Sequence, residues 1–139
     1  DEEKTRETFL DGLFRSGDLG YVDEEGEIRI VERIKECINT GGEKVFPGEI
    51  EEIIETHPQV DKVCIIGVPD ETWGHAVRAV VQLIDGASVT AEEVIAFCEG
   101  KMAGYKRPRS VVFVEEFPVS PVGKVLRAKI REKYGQVDQ

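Results

Sequence analysis

The run Val60-Asp-Lys-Val-Cys-Ile-Ile-Gly-Val68, stopped by Pro69, and the run Ala76-Val-Arg-Ala-Val-Val-Gln-Leu-Ile84 decide how this chain folds. Both are rich in β-branched residues, and an apolar middle of this kind belongs to strands that are largely buried. Asp70-Glu-Thr-Trp-Gly74 between them reads as a connecting loop. On the C-terminal side, Thr90-Ala-Glu-Glu93 is a capping box that opens a helix carrying Val94, Ile95, Phe97 and Cys98 and ending near Gly104. On the N-terminal side, Pro47 stands where a helix takes its first residue. Ile50, Ile53 and Ile54 then recur at helical spacing before His57-Pro58 stops the run.

Further out, residues 19–22 and 27–34 alternate as strands around the turn Asp23-Glu-Glu-Gly26, so the chain opens with a β-hairpin. Residues 110–114 read as another strand, 117–123 as a Pro- and Gly-punctuated loop, and 125–134 as a helix, with a frayed tail after Gly135. The sum is an α/β or α+β sandwich: a small sheet covered by about three helices.

With 139 residues, 40% of them hydrophobic, the chain holds one ordinary core. No apolar run approaches the roughly 20 residues of a membrane helix, and Asp1-Glu-Glu-Lys4 has no signal-peptide character, so a cytoplasmic protein without an integral membrane segment is expected. Cys37, Cys64 and Cys98 are odd in number and widely spaced, with only His57 and His75 as other soft ligands. They read as reduced structural thiols, and no metal site is expected. Both histidines read as capping or surface residues, since no nucleophile accompanies either. A net charge of −10 argues against nucleic-acid binding. Yet residues 101–134 carry nine Lys and Arg against three Glu, beside Gly and Pro, which suits a small anionic partner better than a solvated helix face.

Four stretches carry chemistry. Phe14-Arg-Ser-Gly-Asp18 is a tight turn that leaves Asp18 at the start of a strand, where a carboxylate can accept both hydroxyls of a ribose; an Asx turn is the commoner role of such a triplet. The stretch Arg33-Ile-Lys-Glu-Cys-Ile-Asn-Thr-Gly-Gly-Glu-Lys-Val-Phe-Pro-Gly-Glu-Ile-Glu51 contains paired glycines that let backbone approach a ligand or simply close a hairpin. Its final Glu-Ile-Glu places acids at a helix start. Gly104-Tyr-Lys-Arg-Pro-Arg109 is a rigid basic turn suited to phosphates, or else a set of solvated cations. In Pro118-Val-Ser-Pro-Val-Gly-Lys-Val-Leu-Arg127, a glycine loop before a helix can present the Lys124 ammonium to a carboxylate and a phosphate together. Isolated Gly-Lys pairs are ordinary surface cations, and only the flanks of this one give it weight.

In this order and spacing the four stretches resemble the closing third of an acyl-adenylate-forming enzyme, the superfamily of acyl-CoA synthetases, peptide-synthetase adenylation domains and luciferases. The resemblance is greatest to fatty-acid–CoA ligases, through Phe46-Pro47, the Tyr-Lys-Arg-Pro turn and Pro-Val-Gly-Lys. It implies an α+β fold, a small mixed sheet covered by about three helices and preceded by a hairpin. It also implies a domain plan: residues 1–34 as the end of the large N-terminal adenylating domain, Lys35 as hinge, and residues 36–139 as a mobile C-terminal lid. Asp18 and Arg33 would bind the nucleotide ribose and Lys124 would serve adenylation. Gly41, Gly42 and Glu43 would enter the active site for thioester formation, with Trp73, Arg107 and Arg109 on the CoA side.

The implied reaction joins a carboxylic acid, a fatty acid by resemblance, with MgATP to give acyl-AMP and pyrophosphate, after which CoA displaces AMP. The phosphate loop, acyl pocket and Mg2+ site would belong to the N-terminal domain, so the isolated chain is expected to be inactive. A peptide-synthetase or fatty acyl-AMP ligase using a carrier protein, and a non-enzymatic binding module, are the alternative readings. One departure stands out: relatives commonly have Gly-Arg where this chain has Glu32-Arg33.

Overall fold

The computed structural model describes residues 9–10, 13–14, 18–33 and 36–136. Lys35, expected as a hinge, and the expected Arg15-Ser16-Gly17 turn lie outside the described residues. The chain divides into two compact units, residues 1–37 and 38–139.

In the first unit, β1 (Phe9–Leu10) pairs antiparallel with β2 (Leu13–Phe14), and β3 (Asp18–Val22) with β4 (Ile28–Arg33). The β1–β2 pair has no signature in the sequence, because two-residue strands carry no readable period. The expected hairpin is present, and Asp23 organises its turn. The Asp23 carboxylate accepts the N–H groups of Glu25 and Glu27 and a bond from Arg29 Nε at 2.7 Å. Those donors hold its pKa below the ordinary value, the Glu27 N–H first and Arg29 second. Glu32 sits in regular pairing with Leu19, and the register shift of the hairpin falls between Leu19 and Gly20.

The second unit is built on a five-stranded sheet of β5 (Ile38–Thr40), β6 (Glu43–Val45), β7 (Val60–Asp70), β8 (Gly74–Leu83) and β9 (Ser110–Phe113). β7 and β8 form its long antiparallel axis, β5 meets β8 at Thr40 and Gly74, and β9 runs parallel to β8. The sheet is mixed, as expected. Its alternation explains the layers. Val63, Ile65, Val77, Ala79 and Val81 pack with Ile50 and Ile54 of α1 (Pro47–Ile54) and with Val94 of α2 (Ala91–Phe97). Cys64, Ile66, Val68, Ala76 and Val80 pack on the opposite face with Phe117 and with Ile130 of α3 (Arg127–Tyr134). Successive strand residues point to opposite faces, so one pair of strands serves two cores.

Three boundaries differ from the sequence reading. β7 runs through Pro69 to Asp70, because β7 is an edge strand and a missing N–H costs it no ladder bond. α2 stops at Phe97 instead of near Gly104, with residues 98–102 in turns and a short 3-10 segment at Gly104–Lys106. α3 begins at Arg127, because Val125 forms a bridge with Val119 instead. Of the two readings of the paired glycines, the hairpin is present: they close β5–β6. The Thr90–Glu93 capping box makes both of its reciprocal bonds. Among the described residues no helix is long and apolar enough to cross a membrane, and no cluster of three His, Cys, Asp or Glu could hold a metal ion.

Candidate functional site

In the first unit, the two residues expected to read a ribose are direct neighbours: Asp18 lies opposite Arg33 in the β3–β4 register. Asp18 is half-buried at the start of β3.

In the second unit, Lys124 occupies a small hairpin of its own. Ser120 N donates to Lys124 O at 2.7 Å, Gly123 N to Ser120 O at 2.8 Å, and Lys124 N to Ser120 Oγ at 3.1 Å. Gly123 takes φ 82°, which lets the chain reverse within that turn. Val119 and Val125 bridge the hairpin, and Leu126 N bonds to Pro118 O at 3.0 Å. Lys124 is exposed, and no hydrogen bond or ion pair engages its ammonium among the described residues.

Both ends of this hairpin are tied down. On one side Phe117 is 3% exposed in the core, and its N–H donates to Gln82 Oε1 at 3.1 Å. On the other, Arg127 opens α3 and reaches the outer edge of β7. Its Nη1 donates to Ile65 O at 2.7 Å and to Glu51 Oε1, while Nη2 lies 3.3 Å from Glu51 Oε2. Glu51 Oε1 also accepts Ile65 N–H at 2.9 Å. By sequence, Glu51 reads only as a helix-start acid and Arg127 only as a flank of the lysine motif. The signal that could have joined them, a carboxylate and a guanidinium 76 positions apart, has no local pattern. Glu49 likewise pairs with Lys106 Nζ at 3.1 Å, binding the basic turn to α1.

A second group gathers around Trp73. Thr40-Gly41-Gly42-Glu43 closes β5–β6 with φ 58° at Gly41 and 84° at Gly42, the double positive φ of a tight hairpin turn. Gly41 N donates to Trp73 O at 2.9 Å, and a Cβ at Gly41 would stand 2.7 Å from the indole ring. Arg109 lies over the same indole, 4.5 Å from the ring centre. Trp73 is 40% exposed and Gly42, Glu43 and Arg109 are exposed. Gly41, Trp73 and Arg109 therefore share one surface, while Arg107 Nη1 turns to Glu99 at 3.4 Å.

Residues 49–124, more than half of the chain, match the AMP-binding enzyme C-terminal domain family. The chain belongs to that family. It is 42% identical over 132 residues to a long-chain-fatty-acid–CoA ligase of Mycobacterium tuberculosis, covering 95% of this chain and 26% of that protein. A mitochondrial medium-chain acyl-CoA ligase of Bos taurus is 42% identical over 135 residues, covering 96% and 22%. The crystal structure of ATP-bound MatB from Rhodopseudomonas palustris has a TM-score of 0.91 at 39% identity, covering 96% of this chain and 27% of that one. The resemblance read from the four stretches and the mixed α+β fold thus hold for this family member, which spans about a quarter of the length of these relatives. Lys124, Trp73, Arg107 and Arg109 fall within the matched residues; Asp18, Arg33 and the glycine pair precede them.

Proposed function

We propose that this chain is the closing part of an AMP-forming acid–thiol ligase, with a fatty acid as its acyl substrate, and that Lys124 serves its first half-reaction. The observation that carries this reading is an exposed ammonium, without a partner among the described residues, on a glycine hairpin whose two ends are anchored. A cation so placed is available to a ligand brought from outside the unit.

In the first step the substrate carboxylate attacks the α-phosphorus of MgATP and pyrophosphate leaves. The Lys124 ammonium bridges carboxylate and phosphate oxygens, offsetting the charge that gathers as two anions combine. Asp18 accepts the ribose hydroxyls and Arg33 supports them. The remaining adenylating domain of the intact protein supplies the phosphate loop, the acyl pocket and the carboxylate that holds magnesium.

In the second step the CoA thiolate attacks the acyl carbon, the acyl–oxygen bond breaks and AMP departs. Residues 36–139 turn about Lys35 between the steps, exchanging Lys124 for the Gly41-Gly42-Glu43 turn. The Trp73–Arg109 stack faces the nucleotide end of CoA, where a guanidinium held over a ring keeps its donors available to phosphate; Arg107 belongs to the same side. The intact protein acts in the cytoplasm.

Lys124→Ala in the full-length protein tests this. Pyrophosphate release from ATP and a fatty acid falls, while thioester formation from supplied acyl-AMP and CoA persists. Equal loss in both would remove the assignment. Normal rates for Lys35→Pro, which restricts φ, would remove the pivot. Thioester formation on a loaded carrier protein but not on free CoA would transfer the reading to carrier-dependent adenylating enzymes.

A further inference from the structure

Given the role proposed for Lys124, we infer that Glu51 and Arg127 are positioning residues for adenylation, setting where the lysine hairpin stands on the unit. The tip of the hairpin has little packing of its own, Val119 being 43% exposed and Val122 88%, while Val125 at its end packs partly against the α3-face core. Its place is therefore decided at its ends. The Phe117 end is embedded in the α3-face core. The other end leads through Val125 and Leu126 into Arg127, three residues after Lys124.

Arg127 donates to both carboxylate oxygens of Glu51, to the carbonyl of Ile65 and, at 3.6 Å, to Cys64 Sγ. Glu51 in turn is oriented by the Ile65 N–H. A planar guanidinium bound in this way fixes direction as well as distance, which a lysine in the same place does not. Both side chains are about one-fifth exposed or less, so the pair is largely withdrawn from water. Because reacting groups misplaced by about 1 Å can lose on the order of 100-fold in rate, an anchor three residues from the ammonium acts directly on the chemistry. The Gly41–Trp73 surface is held by β5, β6 and the β7–β8 turn, and does not depend on this anchor.

The test uses the full-length enzyme carrying Glu51→Gln, Arg127→Lys and the exchange Glu51→Arg with Arg127→Glu, beside Lys124→Ala. Pyrophosphate release and thioester formation from supplied acyl-AMP are followed separately. The expected result for Glu51→Gln and Arg127→Lys is a fall in adenylation kcat of about 10- to 100-fold, with little change in KM for ATP and thioester formation within about twofold of the parent. The exchange variant is expected to recover part of the loss by restoring the ion pair. If both half-reactions fall together, or neither falls, the pair is structural only and the inference is overturned. If Arg127→Lys does not fold, Glu51→Gln, which keeps an amide acceptor for Ile65 N–H and Arg127, decides by the same criteria. If Lys124→Ala itself leaves adenylation intact, the reading of the lysine fails and this inference with it. A slow Lys124→Ala beside unselective pair variants overturns the inference alone.

Discussion

Glu51 and Arg127, from helices on opposite faces of the sheet, meet at the outer edge of β7 and between them satisfy both the N–H and the C=O of Ile65. An edge strand presents unpaired peptide groups that invite pairing with another chain. Here two charged side chains occupy that edge, so one ion pair covers the sheet and joins its two helical layers.

Removing one partner leaves the other charge largely withdrawn from water and Ile65 short of a bond. Full burial would cost about 3–5 kcal/mol; with one-fifth exposure, Arg127→Met should cost about 2–3 kcal/mol in urea unfolding of the chain. A double-mutant cycle with Glu51→Met should give a coupling of about 1–2 kcal/mol. Additive losses would mean that the two residues contribute separately.

The paired glycines should respond unequally. Gly42 at φ 84° has nothing within 4 Å of an added methyl, so Gly42→Ala meets only the left-handed backbone cost of about 1–2 kcal/mol. At Gly41 the methyl would also press on the indole at 2.7 Å. Gly41→Ala should therefore lose at least about 1 kcal/mol more, with altered Trp73 fluorescence. Equal midpoints for the two variants in urea would contradict the contact.

Lys124→Ala should leave folding untouched. An exposed side chain that no described residue engages contributes within about 0.5 kcal/mol, whereas loss of such a charge from a transition state costs on the order of 100- to 1,000-fold in rate. Urea unfolding and pyrophosphate release on the same preparation separate the two. A shifted midpoint would reveal a packing role.

The first hairpin should weaken in acid in a defined direction. Donors from Glu27, Arg29 and Glu25 favour ionised Asp23, so its folded pKa lies below the ordinary 3.8. The stabilisation is complete above that ordinary value and is lost as pH falls through the folded one. An NMR titration following the Asp23 carboxyl carbon and the Glu27 amide should show one shared midpoint below 3.8, and Asp23→Asn should abolish the amide response.

What the sequence disclosed and what it withheld divide along distance. Pro47 opening α1, the Thr90–Glu93 box and the Asp23 turn are local events, with cause and effect within four residues. The two β-branched runs disclosed the sheet axis because burial on both faces suppresses polar alternation. Pro69 misled because its effect depends on whether the strand lies at an edge, which only the assembled sheet decides. Glu51 with Arg127, and Gly41 beneath Trp73, join residues far apart in the chain through geometry. The candidate residues were legible by type and flank; their grouping into a lysine hairpin and a separate tryptophan surface was not.

Arg78 carries a practical consequence for handling the protein. It is 4% exposed on β8, bonds Ser110 Oγ through Nε, and donates through Nη1 to the carbonyls of Tyr134 at 2.7 Å and Gln136 at 3.1 Å. Trimming back to residue 133 would strip two acceptors from an interior cation. A shortened form of the protein that is to keep its interior cation neutralised by peptide dipoles must therefore retain the chain through Gln136.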